Sequence, residues 1–278
     1  MAEQQIPIQT IHLFPVLDQM LVSLLRSLSP EDWQRPTTAK LWTVKDVAAH
    51  LLDGNMRAIS VLHNYEPSSD SRINNYTDLV NYLNELNATW VNAMKRVSPR
   101  LITDLLESTG KLYIDYLHTL DPFAVAKYPV AWAGETTSLN WFHIAREYTE
   151  KWHHNQQIRD AMGDDCLLKQ ELFYPCAHTF MQALPYHYAH VDAPEGSIIS
   201  ITITNLSKSK WALGKVASGW RFLAFSEEEA TTEITISPDI AWRIFTKAIP
   251  PAQAYLSAEI TGNTRLAKAF FSTVAVMA

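Results

Sequence analysis

The chain has 278 residues, 47% hydrophobic and 19% charged, with 23 Lys+Arg against 29 Asp+Glu for a net charge of −6. That apolar content excludes wholesale disorder, and the absence of a basic footprint excludes a general electrostatic grip on nucleic acid. Two cysteines, Cys166 and Cys176, are too few for a disulfide framework and lack metal-knuckle spacing.

No stretch approaches the ~18 uninterrupted apolar residues of a membrane span, and the N-terminus has no signal-peptide pattern. The expectation is a cytoplasmic protein, monomer or homodimer, with neither nucleic acid nor membrane as partner. Eight glycines are few for this length, which leans towards helix.

In chain order, Ile11, Leu13, Phe14, Val16, Leu17, Met20, Leu21, Leu24 and Leu25 fall at helical spacing. Pro15 marks either the start of that helix or a kink in it. Ser29-Pro30-Glu31-Asp32-Trp33 reads as a capped helical turn. A second helix is predicted from about Thr43 to Tyr65, with Thr43 and Asp46 at capping-box spacing. Further helices are predicted over Tyr76 to Arg96, from Ser98-Pro99 to Leu120, over Ser138 to Met162 with Gly163 as the stop, and from Gln170 to about Tyr188.

The period switches to two near residue 197. Ile199, Ile201 and Ile203 alternate with Ser200, Thr202 and Thr204, the pattern of a half-buried strand. Lys210–Val216, Trp220–Phe225, Thr231–Ile236 and Ala258–Thr261 add strand-like runs. Ser237-Pro238 and Asn263 start helices. The fold class expected is a two-domain α+β chain. A helical bundle occupies 1–190, and a small α+β domain with an antiparallel sheet occupies 191–278.

The residues with chemistry concentrate on the helix ending at Met162. At about 100° per residue, His143, Glu147, Glu150 and His154 fall on one stripe about 60° wide, a position that a bundle normally fills with leucine. His153 points about 100° away, towards solvent or another interface. Glu150 and His154 lie one turn apart and can reach a common ion. His50, on an otherwise small and apolar face with Val47, Leu51 and Gly54, is the candidate third ligand. Two His and one Glu with an open position is the composition of a catalytic zinc site. The same residues also fit a satisfied core histidine beside a helix-surface ion pair. His143 and Glu147 read as partners orienting the ligands or as half-exposed positions near the mouth of the bundle.

The run Leu41-Trp42-Thr43-Val44-Lys45-Asp46-Val47-Ala48-Ala49-His50-Leu51 resembles the second-helix signature of the DinB-like metal-binding four-helix bundles. Glu150-Lys-Trp-His-His154, followed by Gln157-Ile158-Arg159-Asp160-Ala161, resembles the mycothiol-dependent maleylpyruvate isomerase branch, as do Trp33 and the Trp132 loop. Trp211, Ser218-Gly219, Ser237-Pro238, Trp242-Arg243 and the run Gly262–Ala267 are similar to the sterol-carrier-like domain that follows the bundle there.

The resemblance implies metal ligation by His50, Glu150 and His154. Zinc comes first, with nickel, iron or manganese also compatible with such donors. It implies a low-molecular-weight thiol, activated by the metal, and a small acidic substrate. It also implies an arginine of the C-terminal domain that neutralises a carboxylate, for which Arg221 and Arg243 are the candidates. The activity expected is thiol-dependent transfer or isomerisation. The alternatives are a metal- and ligand-binding protein without catalysis, with His143 or Glu147 closing the metal shell, and a metal-dependent hydrolase with Glu147 as base. Trp33, Trp42 and Trp90 read as packing, Cys166 and Cys176 as structural, and His187 and His190 as surface residues near the domain junction.

Overall fold

A computed structural model describes residues 4–63, 65, 73–207, 209–224 and 230–277. The chain divides into two compact units. One takes in the residues up to Ala124 together with Glu147–Asp165; the other takes in Val125–Arg146 and Cys166–Val276.

The first unit contains α1 (Phe14–Ser27), α2 (Val44–Leu62), α3 (Tyr76–Met94), α4 (Pro99–His118) and, from Glu147 onward, most of α5 (Asn140–Met162). Pro15 sits in the first turn of α1, where its missing N–H has no partner to lose. A 3₁₀ turn over Ile11–Leu13 precedes it, so the helix is not kinked there. Thr43 and Asp46 form the expected capping box: Thr43 Oγ1 accepts from the Asp46 N–H, and the Asp46 carboxylate accepts from the Thr43 N–H at 3.0 Å. The described helix ends at Leu62; Asn64, within the span expected to be helical, lies outside the described residues.

Leu21 and Leu25 of α1, Val44, Val47, Ala48, Ala49, Leu51 and Leu52 of α2, Ile102 and Leu106 of α4 and Ile158 of α5 share one core with Trp33. Helix α3 lies against α2 with only Asn87 and Val91 buried, so four helices make the core and α3 flanks it. Thr43→Ala should lower the unfolding free energy by about 1 kcal/mol, the usual worth of an N-cap, as measured by urea denaturation.

The second unit carries the first turns of α5 and then α6 (Gln170–Met181) and α7 (Leu184–His187). The single helix expected from Gln170 to Tyr188 is broken. Pro185 would deprive the Met181 carbonyl of its i+4 donor, and it instead occupies the first turn of the short α7.

Five strands follow, β1 (Ile198–Ile203), β2 (Lys210–Val216), β3 (Gly219–Phe222), β4 (Thr232–Ile236) and β5 (Glu259–Gly262), in the order β3-β2-β1-β4-β5. The β1–β2, β2–β3 and β4–β5 pairs are antiparallel as expected, whereas β1–β4 is parallel. The sheet is therefore mixed, with β4 beside β1 and running in the same direction. Phe225, placed in the third strand from sequence, lies outside the described residues. β1 is the central strand, and Ser200, expected on an open face, is only 3% exposed.

Helices α8 (Pro238–Phe245), α9 (Pro251–Leu256) and α10 (Thr264–Phe270) complete the unit. Ser237 caps α8, and Asn263 caps α10 through the Arg265 and Leu266 amides. Phe245 stacks on Phe180 with ring centroids 5.3 Å apart and meets Phe270 edge-on at 5.9 Å.

Gly262 has φ +80°, and a Cβ there would lie 2.1 Å from the Thr231 carbonyl oxygen. Both the left-handed backbone and the neighbouring main chain exclude a side chain. Gly262→Ala should therefore destabilise the protein by more than ~1 kcal/mol in the same denaturation assay.

Candidate metal centre

Two helices supply the site. The capping box fixes the start of α2, and two turns on that helix presents His50. α5 presents Glu150 and His154 one turn apart, the spacing at which side chains meet on a helix surface. One ligand atom from each of His50, Glu150 and His154 lies within 4.8 Å of the other two. His154 Nε2 is 3.6 Å from Glu150 Oε2, and the His50 and His154 rings meet edge-on with centroids 4.6 Å apart. Trp42 lies over the pair, 4.9 Å from the His50 ring and 6.4 Å from that of His154. The Glu150 side chain is 32% exposed against 9% for His154, so the triad is reached from solvent on the carboxylate side.

The donors suit a divalent cation. The Nδ1 of His50 is buried with no hydrogen-bond partner, an arrangement that costs about 1–3 kcal/mol when nothing else engages the ring. Burial holds the His50 imidazole well below its ordinary pKa. His154, Arg57 and His153 push the same way, and Glu150 opposes them. Burial pushes the Glu150 carboxyl up, but His154, His153 and His50 outweigh it and hold it below the usual carboxylate range. At neutral pH both groups therefore stand in the deprotonated form that a cation requires.

The other residues of the stripe are engaged elsewhere. Glu147 accepts a hydrogen bond from the Tyr113 hydroxyl at 2.6 Å, and His143 accepts at Nδ1 from the Arg146 guanidinium at 2.7 Å. Neither belongs to the triad, and His143 is buried rather than half-exposed. His153, expected at the surface, is only 4% exposed. Its Nδ1–H donates to the Thr149 carbonyl at 2.9 Å, and its ring lies 3.8 Å from that of His154. Burial and the neighbouring His154 pull its pKa to about 4. The backbone carbonyl one turn back gives this ring a partner without solvent, which a simple angular projection does not register.

The two candidate arginines lie in the second unit. Arg221 is exposed on β3, opposite Gly214. Arg243 is held on α8 by Asp239, with Nε 3.0 and 3.1 Å from its two oxygens, and lies over the Trp242 ring.

Two residues beside the site were given no part in it from sequence, where Trp42 reads as packing and Gln157 stands only within a family signature. Trp42 covers the imidazoles, and Gln157 receives the His154 Nδ1–H at 2.9 Å. The three-residue spacing of His154 and Gln157 is the one signal that was available for the second.

A family described as the mycothiol maleylpyruvate isomerase N-terminal domain matches residues 15–159, more than half of the chain. The chain belongs to this family. The matched span contains His50, Glu150 and His154. Among solved structures, a mycothiol-dependent maleylpyruvate isomerase is similar at 12% identity and a TM-score of 0.48, over 84% of this chain and 86% of that one. A histidine-to-alanine mutant of a mycothiol-dependent maleylpyruvate isomerase aligns over the same shares at 11% identity and a TM-score of 0.48. A ubiquinone synthesis protein named UbiJ-SCP2 aligns over 37% of this chain and 83% of its own length, at 12% identity and a TM-score of 0.25. No curated protein matches the chain. Among the described residues, no helix is long and apolar enough to cross a membrane.

For this maleylpyruvate isomerase relative, the unpartnered nitrogen has a measurable consequence. His50→Leu should raise the unfolding free energy of the metal-free protein by about 1 kcal/mol, since an apolar side chain removes an unsatisfied buried group. Urea denaturation in the presence of a chelator measures it.

Proposed function

We propose that the protein is a thiol-dependent isomerase or transferase acting on a small acidic molecule at a divalent metal held by His50, Glu150 and His154. The observation that carries this reading is the convergence of those three donors, two in one turn of α5 and one from α2, inside the span matched by the family. Zinc is the ion we assign first, with nickel, iron and manganese as competitors for the same donors. The description of the matched family points to mycothiol as the thiol.

A bound divalent ion would supply the Lewis acidity that keeps a thiol as thiolate at neutral pH. The chain's own residues do the rest. Glu150 offsets part of the cation's charge, and its partial exposure leaves a path for a small ligand. Trp42 packs beside both imidazoles. Of the two arginines, we assign Arg221 to the substrate carboxylate. It is exposed and has no ion pair among the described residues, whereas the Arg243 guanidinium is taken by Asp239. We place the protein in the cytoplasm, where a free low-molecular-weight thiol co-substrate persists.

Elemental analysis of protein purified without added metal should find about one zinc per chain. His50→Ala and Glu150→Gln should each abolish it with circular dichroism unchanged. Isomerisation of maleylpyruvate should require both mycothiol and the metal. Arg221→Ala should raise the KM for the acid about tenfold or more, as expected on losing a charged hydrogen bond, with zinc content unaltered. Arg243→Ala should have a smaller effect. Wild-type protein that takes up no zinc, nickel, iron or manganese would overturn the reading. So would turnover indifferent to thiol.

A further inference from the structure

Gln157 stands one turn beyond His154 on α5, and both are buried, 5% and 7% exposed. The carboxamide oxygen Oε1 lies 2.9 Å from His154 Nδ1. An amide oxygen only accepts, so the ring nitrogen facing it carries the proton. In the neutral form that metal ligation requires, the ring has one such proton, which leaves Nε2 with a lone pair. That nitrogen faces Glu150 Oε2 at 3.6 Å, beyond the range of an N–H···O hydrogen bond. Two acceptors set opposite each other at that separation repel, and a cation shared between them removes the repulsion.

The opposite amide orientation would have the opposite outcome. With its NH₂ turned to Nδ1, the carboxamide would drive the proton to Nε2. His154 would then donate to Glu150, and the triad would close into a hydrogen-bonded pair with no lone pair left for an ion. The separation of 3.6 Å favours the first orientation. His153 shows the same device with a different acceptor: its Nδ1–H is fixed by the Thr149 carbonyl, four residues back.

We propose that Gln157 is a positioning residue that holds His154 as the Nδ1–H tautomer, so that Nε2 is kept as a metal ligand. The consequence for metal rests on the proposed centre; the tautomer belongs to the chain with or without an ion. The choice of a neutral acceptor has a further effect. A divalent cation with Glu150 as the one anionic ligand carries a net charge of about +1, and a carboxamide leaves that charge intact where a carboxylate would cancel it. The residual charge favours an anionic incoming ligand such as a thiolate.

Long-range ¹H–¹⁵N NMR of the histidine rings in the zinc-free full chain tests the tautomer. His154 should appear as Nδ1–H in the wild type and lose that form in Gln157→Leu. Zinc affinity, measured by chelator competition, should weaken about 10–100-fold in Gln157→Leu and recover in Gln157→Glu, which restores an acceptor. An Nε2–H ring in the zinc-free wild type would overturn the proposal, as would a folded Gln157→Leu protein that binds zinc as tightly as wild type. Should Gln157→Leu fail to fold, the wild-type spectrum and Gln157→Glu decide. A wild type that binds no zinc removes the metal centre, while the NMR result still decides what Gln157 does.

Discussion

A helical bundle tolerates polar side chains in its interior only when each finds a partner, and the first unit is arranged around that constraint. His50, Glu150 and His154 occupy positions where hydrophobic patterning alone would put leucine. Their neighbours on α2, Val47, Ala48, Ala49 and Leu51, are almost fully buried, and Ile158 of α5 joins the same core. The apolar core that α2 and α5 share thus sets the separation of the three donors. Stability and site geometry are opposed at His50, whose Nδ1 is buried without a partner. Such conflicts persist at sites kept for reasons other than folding.

A second buried polar network lies in the same unit and is closed on itself. Lys151 donates to Asn55 Oδ1 and lies 4.4 Å from the centre of the Tyr113 ring, while Asn55 donates to Thr109 at 2.9 Å. Thr109 in turn donates to the Leu105 carbonyl at 2.6 Å. Asp18 lies against Gly110, where a Cβ would collide with its carboxylate, so glycine is what lets this acid approach α4. Burial raises the Asp18 pKa while Lys151 lowers it, and burial depresses that of Lys151 while Asp18 and Glu147 raise it. Side chains of α1, α2, α4 and α5 meet in this network. A buried charge that is satisfied in one arrangement and stranded in others penalises a rotated or shifted helix. Lys151 adjoins Glu150 in sequence, so the network also restrains the backbone that presents the carboxylate.

The second unit solves its polar accounting with local caps. Ser237 and Asn263 satisfy the first amides of α8 and α10, and Thr231 bonds Ile198 through both its donor and its acceptor. The parallel β1–β4 pair places β1 at the centre of the sheet, with Ile199, Ile201 and Ile203 fully buried. Arg221 remains on the exposed side of a short edge strand. Arg243, by contrast, is ion-paired with Asp239.

What the sequence determined by itself were the features that depend on neighbours a few residues away. The caps at Thr43, Ser98, Ser237 and Asn263 and the period-two isoleucines of β1 are all interactions within one turn or one strand. The pairing of Glu150 with His154 has the same origin, because four residues on a helix fix their adjacency. Tertiary structure decided the rest. That His50 meets the pair, that His153 is buried, and that Glu147 turns to Tyr113 depend on how α2, α4 and α5 pack, which a single-helix projection does not contain. The parallel strand pair depends on β4 lying beside β1, which no local pattern specifies. Local chemistry restricts what each segment can become; only packing brings together groups that lie about a hundred residues apart along the chain.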